Sequence, residues 1–178
     1  LTEGLRDLVT RAVRRLAGDP NASPVINLQT NFGGGKTHSM LALWHLVSGL
    51  PMDGYPQEWQ ELLTSAGFDK LTEQTDKSGL AHRVALVGNH FAPSGEAKPD
   101  GTRVNTLWGE LAWQLGGAEA YELVADADHT STAPGSALHD LLGYYSPAVI
   151  LIDEWVAYAR QLYGRDDLPG GTFDTQFT

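Results

Sequence analysis

Three consecutive glycines, Gly33, Gly34 and Gly35, are followed at once by Lys36 and Thr37, and this string limits the local fold more than any other part of the chain. A triple glycine suits neither a helix nor a strand interior, because glycine loses the most backbone freedom on ordering. It must form a loop, and its neighbours say what the loop joins. Residues 24–29, Pro24-Val25-Ile26-Asn27-Leu28-Gln29, read as a short strand. After Lys36 the apolar positions Met40, Leu41, Leu43, Trp44 and Val47 read as one face of a helix ending near Gly49 and Pro51. In a strand–glycine loop–helix unit, backbone N–H groups and a helix N-terminus converge on an anion. Thr30-Asn31-Phe32-Gly33-Gly34-Gly35-Lys36-Thr37 matches the last three positions of the phosphate-loop pattern, with Thr30 where the first glycine belongs. In that pattern Lys36 reaches the β- and γ-phosphates of a nucleotide and the Thr37 hydroxyl ligates Mg²⁺. A glycine-rich turn with a solvated lysine is the competing reading.

A second element narrows the choice. Val149-Ile150-Leu151-Ile152-Asp153-Glu154 reads as a buried apolar strand that ends in two carboxylates. Alone, such a pair also fits an ordinary solvated strand end. Downstream of a phosphate loop, Asp153 is expected to orient the Mg²⁺ shell, and Glu154 to polarise a water for attack on the γ-phosphate. A phosphotransferase has less need of the second acid, since its nucleophile is a substrate hydroxyl, so the pair favours hydrolysis.

The remaining pattern alternates helix and strand. Residues 2–17 read as an amphipathic helix capped by Thr2 and ended by Gly18, with Leu5, Leu8, Val9, Ala12, Val13 and Leu16 on one face. Its arginines, Arg6, Arg11, Arg14 and Arg15, read as a solvated face rather than phosphate ligands. Residues 51–81 are polar and interrupted, with one helix near 57–65, and read as a surface insertion. A strand is expected at 83–88 and a loop at 91–103. Helices follow at 105–115, ended by Gly116-Gly117, and at 118–124, 136–144 and 155–163, with the acid-bearing strand at 148–152. The acidic stretch 125–131, holding Asp126, Asp128 and His129, reads as a solvated linker. This alternation predicts an α/β fold of the P-loop type, a parallel sheet flanked by helices, within one partial domain over 1–178.

Composition trims the functional classes. The net charge of −10 repels a phosphate backbone over most of the surface, so nucleic-acid binding is not supported by this chain. The absence of cysteine removes disulfides and thiolate metal sites and fits a cytoplasmic protein. No apolar run reaches the length of a membrane span, and none reads as a signal peptide. Both ends read as cut from something longer, which leaves the fold incomplete at the C-terminus. His38, His45, His82, His90, His129 and His139 have no zinc-like spacing. Trp44, Trp59, Trp108, Trp113 and Trp155 read as packing residues rather than base-stacking platforms.

The string from Thr30 through His38-Ser39-Met40-Leu41-Ala42-Leu43 resembles the distinctive loop of large AAA+ ATPases of the DUF499 family, in which threonine is usual at the position of Thr30. Thr106-Leu107-Trp108-Gly109-Glu110-Leu111-Ala112, Leu151-Ile152-Asp153-Glu154 through Tyr158-Ala159-Arg160, and Leu1-Thr2-Glu3-Gly4-Leu5-Arg6 are similar to further motifs of that family. The resemblance implies an AAA+, additional-strand P-loop core of a long bacterial or archaeal ATPase, of a kind often encoded beside DNA methyltransferases in phage-defence or restriction-like clusters. It implies ATP and Mg²⁺ as cofactors, and protein partners or a homo-oligomer. The candidate nucleotide-binding set is Asn31, Phe32, Gly33, Gly34, Gly35, Lys36, Thr37 and His38; the metal ligands are Thr37 and Asp153; the catalytic candidates are Glu154, Lys36 and Asn89. Asn89 follows the strand at 83–88 and is similar in position to a polar residue that restrains the catalytic glutamate in many AAA+ proteins; a turn-forming asparagine is the other reading. The sensor strand and an arginine finger are expected outside this chain, so the chain alone is expected to hydrolyse ATP weakly. A nucleotide-dependent assembly switch with little turnover is the alternative function.

Overall fold

The computed structural model describes residues 1–29, 35–74 and 79–177, without the side chains of Gln74 and Phe177. By its internal contacts the chain divides into two compact units, Leu1–His82 and Arg83–Thr178.

The first unit is helical. Helix α1 (Glu3–Leu16) begins where the Thr2 hydroxyl accepts the Leu5 N–H at 3.3 Å, and carries Glu3 in its first turn and Arg14 and Arg15 in its last, as the helix dipole favours. Its apolar stripe buries Leu8, Val9 and Val13. The arginines work on the surface: Arg6 pairs with Glu58, Arg11 with Asp7 at 3.4 Å, and Arg14 with Asp19 at 2.5 Å. Helix α2 (Lys36–Leu46) buries Leu43 and Leu46, and Val47 just beyond it is also buried. Helices α3 (Gln57–Ala66) and α4 (Phe68–Gln74) pack with α1. Leu63, Ala66, Phe68 and Leu71 are all buried there, so the segment expected to be a surface insertion supplies much of this unit's interior.

No strand forms over 24–29. The Ser23 hydroxyl donates to the Val25 carbonyl at 2.8 Å and accepts the Val25 N–H at 3.3 Å, which occupies the groups a ladder would use. Val25 is 73% exposed. The expected strand before the glycine loop is corrected accordingly.

The second unit holds the sheets. Strand β1 (His82–Val87) buries alternate residues Val84 and Leu86 and pairs in parallel with β4 (Ala148–Asp153). A hairpin of β2 (Glu96–Ala97) and β3 (Arg103–Val104) occupies the stretch expected to be a loop, with Glu96 opposite Val104 and Ala97 opposite Arg103. Helix α5 (Leu107–Glu122) is capped by the Thr106 hydroxyl, which accepts the Gly109 N–H at 3.1 Å. It is kinked at Gly116 and Gly117, where φ/ψ leave the helical region and the sequence predicts a break. Helices α6 (Ala125–Thr130), α7 (Ser136–Tyr144), α8 (Trp155–Leu162) and the short α9 (Phe173–Phe177) complete it. One cluster packs Val84 and Leu86 of β1 against Trp108, Leu111, Ala112 and Leu115 of α5 and Leu141 of α7. A second joins Phe91, Val104, Tyr121, Tyr158 and Leu162. Strand β4, expected to be buried, is only half-buried along its length, and Ile152 is 52% exposed. Among the described residues β1 is its sole ladder partner, so one edge lacks the cover a central strand would have.

Residues 125–131 are not a solvated linker. Asp128 of α6 is fully buried, and its carboxylate accepts from Asn105 N, Thr106 N, the Asn105 amide, the Thr106 hydroxyl and the Tyr121 hydroxyl at 2.5–3.1 Å. Five donor groups, two of them backbone amides beside the N-terminus of α5, replace the water that a buried carboxylate loses.

Candidate functional site

The glycine-loop half of the site is described from Gly35 onward; Asn31, Phe32, Gly33 and Gly34 lie outside the described residues. Gly35 sits at φ 78°, ψ 17° as the residue preceding α2, a left-handed conformation that residues with a Cβ resist. No side chain caps this helix end. The Gly35 carbonyl accepts from both the N–H and the hydroxyl of Ser39, at 2.9 and 3.0 Å, which fixes the first turn. Lys36 and Thr37 form that turn with His38; Thr37 and His38 are exposed and Lys36 is half-exposed. A helix start that carries a lysine and a hydroxyl in its first turn has the chemistry to hold a phosphate group and to offer one oxygen to a cation.

The acid half lies at the carboxyl end of the β1/β4 pair. Asp153 is the last residue of β4, and its carbonyl accepts the Gly88 N–H at 2.9 Å, extending the parallel pairing one step past β1. The Asp153 carboxylate accepts the Glu154 N–H at 3.0 Å. Glu154 precedes α8 at φ 51°, ψ 27°, and its carbonyl accepts the Ala157 N–H at 2.8 Å. Its side chain is exposed. Among the described residues, Ser131 and Glu154 are the non-glycine residues with positive φ. Such conformations are costly and cluster where a side chain must be presented in one direction.

Asn89 lies in the turn after β1, where the His90 N–H donates to the Val87 carbonyl at 2.8 Å. It is exposed, and among the described residues no hydrogen bond joins its amide to Glu154. Lys36 and Thr37 belong to the first unit, and Asp153 and Glu154 to the second. Among the described residues no group of three or more histidines, aspartates or glutamates gathers to hold a metal.

Two residues in this region carry geometry that sequence patterns did not single out. Gly88 touches the backbone of Glu154, and the Gln161 amide of α8 donates to the Gly88 carbonyl at 3.4 Å. A glycine directly after an apolar strand was the available sign.

The fold defines a mixed α/β protein with a small parallel sheet flanked by helices, ending in an acid pair at its carboxyl edge. The family model described as the DUF499 N-terminal domain matches residues 1–167, and the chain belongs to that family. No curated protein and no solved structure matches it. Among the described residues no helix is long and apolar enough to cross a membrane.

Proposed function

We propose that the chain binds ATP with Mg²⁺ and hydrolyses it, as the P-loop motor or regulatory core of a larger cytoplasmic protein. The observation that carries this reading is the acid pair. Asp153 and Glu154 close a parallel strand at its carboxyl end, the edge where ligands of open α/β sheets bind, and Glu154 is exposed there in a strained backbone conformation. The Gly35-Lys36-Thr37 helix start supports it from the other half of the motif.

In this reading the amides at the start of α2 and the Lys36 ammonium hold the β- and γ-phosphates, and the Thr37 hydroxyl and Asp153 hold the ion. Bound Mg²⁺ supplies charge neutralisation at the phosphate oxygens. Glu154 orients a water in line with the γ-phosphate and accepts its proton. Lys36→Ala should lose most ATP affinity in a calorimetric titration; unchanged affinity removes the reading.

One observation favours the assembly switch as a second reading. Ile152, Trp155 and Val156, about half exposed, bracket the acid pair with apolar surface of the kind a protein partner or second copy covers. Glu154→Gln separates the two: a motor stalls with ATP bound, whereas a switch assembles as before.

A further inference from the structure

We infer that Gly88 is a positioning residue for Glu154: its lack of a side chain lets the end of β1 serve as a backstop against which the backbone of Glu154 is set. The inference rests on the proposed role of Glu154 and adds the residue that holds it.

A Cβ built on Gly88 would stand 2.2 Å from the Glu154 carbonyl oxygen, 2.8 Å from its carbonyl carbon and 3.0 Å from the Trp155 Cα. All three are backbone atoms, so no side chain can swing aside to make room. Gly88 is not among the glycines with positive φ, so its own backbone does not require glycine. The requirement comes from the neighbour.

That neighbour is set by several bonds at once. The Gly88 N–H holds the Asp153 carbonyl at 2.9 Å. The Gln161 amide reaches the Gly88 carbonyl from α8, the helix that Glu154 begins. The Glu154 carbonyl, the atom in closest approach, is also the one that accepts the Ala157 N–H and starts α8. Gly88 is therefore tied to the residue before Glu154 and to the helix after it, and packs flat on the peptide between them. Adding one methyl group displaces this peptide and turns the Glu154 carboxylate away, because the side chain of a residue at φ 51° follows its backbone.

The test is Gly88→Ala in the full-length protein, read three ways. Amide hydrogen exchange at Ala157 should speed up while exchange in the buried core of β1 stays slow. ATP affinity should match wild type, since in this reading the phosphates are held by the start of α2 and Lys36. Turnover should fall by about 10²-fold, the scale set by an ångström-sized displacement of a catalytic group, and should fall no further when Gly88→Ala is added to Glu154→Gln. Unchanged exchange at Ala157 overturns the inference whether or not the protein hydrolyses ATP. Full turnover in Gly88→Ala with altered exchange overturns the catalytic consequence. A wild-type protein that binds no ATP defeats the proposed function instead, and the exchange measurement still decides the role of Gly88.

Discussion

Gln114 holds Ala85 with both ends of its side-chain amide: its oxygen accepts the Ala85 N–H at 2.8 Å, and its nitrogen donates to the Ala85 carbonyl at 3.0 Å. This is the pairing a neighbouring strand would make, supplied by one helical residue. Glu110 fixes the amide's orientation by accepting from the same nitrogen at 2.7 Å. Glu110 is in turn paired at 2.7 Å with Lys98 of the hairpin turn, whose ammonium also lies 5.0 Å from the Trp113 ring centroid.

Gln114→Leu should therefore cost about 1–3 kcal/mol, the range for leaving buried backbone groups unpaired. It should also bare the Ala85 edge of β1, and an uncapped strand edge invites pairing between copies. Denaturant unfolding reads the first effect and sedimentation velocity the second. A variant as stable and as dispersed as the parent would show that water replaces the amide without cost.

Asp128 anchors the start of α5 from a fully buried position. Asp128→Ala strands the Asn105 and Thr106 amides together with hydroxyl and amide donors, and should destabilise the protein by about 3 kcal/mol or more. Asp128→Asn should also be costly, because its NH₂ meets groups that themselves donate. Equilibrium unfolding in urea measures both; losses below 1 kcal/mol would mean that solvent reaches this site.

Several elements were legible in the sequence because their determinants are local. The Thr2 cap of α1, the break at Gly116-Gly117 and the strand expected at 83–88 all follow from residues within a turn or two. Other features depend on distant partners. The donors to Asp128 are mainly 22 and 23 residues away, so its own neighbours, Ala125-Asp126-Ala127, look like a solvated strip. The β2–β3 hairpin has only two residues per strand and no apolar alternation, and its Lys98 is buried by Glu110 and Trp113 of a later helix. The strand expected at 24–29 had the right composition, but the Ser23 side chain takes the Val25 backbone. Of the candidate site, the residue types at Lys36, Thr37, Asp153 and Glu154 could be read directly. The close fit of Gly88 to Glu154 could not, because it is a contact between two strand ends far apart in sequence.

The Tyr121 hydroxyl is pushed well above the ordinary tyrosine value, first by burial and then by donating to Asp128 at 2.7 Å beside its negative charge. Burial, with the Asp128 charge second, raises Tyr158 as well. The folded protein keeps these protons at a pH where the unfolded chain has released them. The resulting stability is fully present below about pH 10, the unfolded tyrosine value, and declines as pH rises beyond it. Tyr121→Phe lacks this titration. It should be less stable than the parent near neutrality, having lost a hydrogen bond to a carboxylate, and the gap should narrow in alkali. Unfolding curves for both proteins at about pH 8 and about pH 11 check this, and a constant gap would count against a buried Tyr121–Asp128 bond.

Glu154 holds a left-handed conformation that glycine adopts freely and residues with a Cβ adopt at a cost of roughly 1–2 kcal/mol. Its side chain is exposed, and among the described residues that carboxylate makes no hydrogen bond, so folding gains little from it. Retaining glutamate at such a position is explained if the carboxylate serves the proposed hydrolysis. Glu154→Gly and Glu154→Ala both remove that carboxylate, but only glycine relieves the backbone. Glu154→Gly should therefore be more stable than Glu154→Ala by about 1 kcal/mol, while both lose turnover and keep ATP affinity. Thermal unfolding of the two variants beside a steady-state ATPase assay supplies the comparison. Equal stability would mean that the backbone relaxes out of the left-handed region once the side chain is gone, and retained turnover would move the proton-accepting role to another residue.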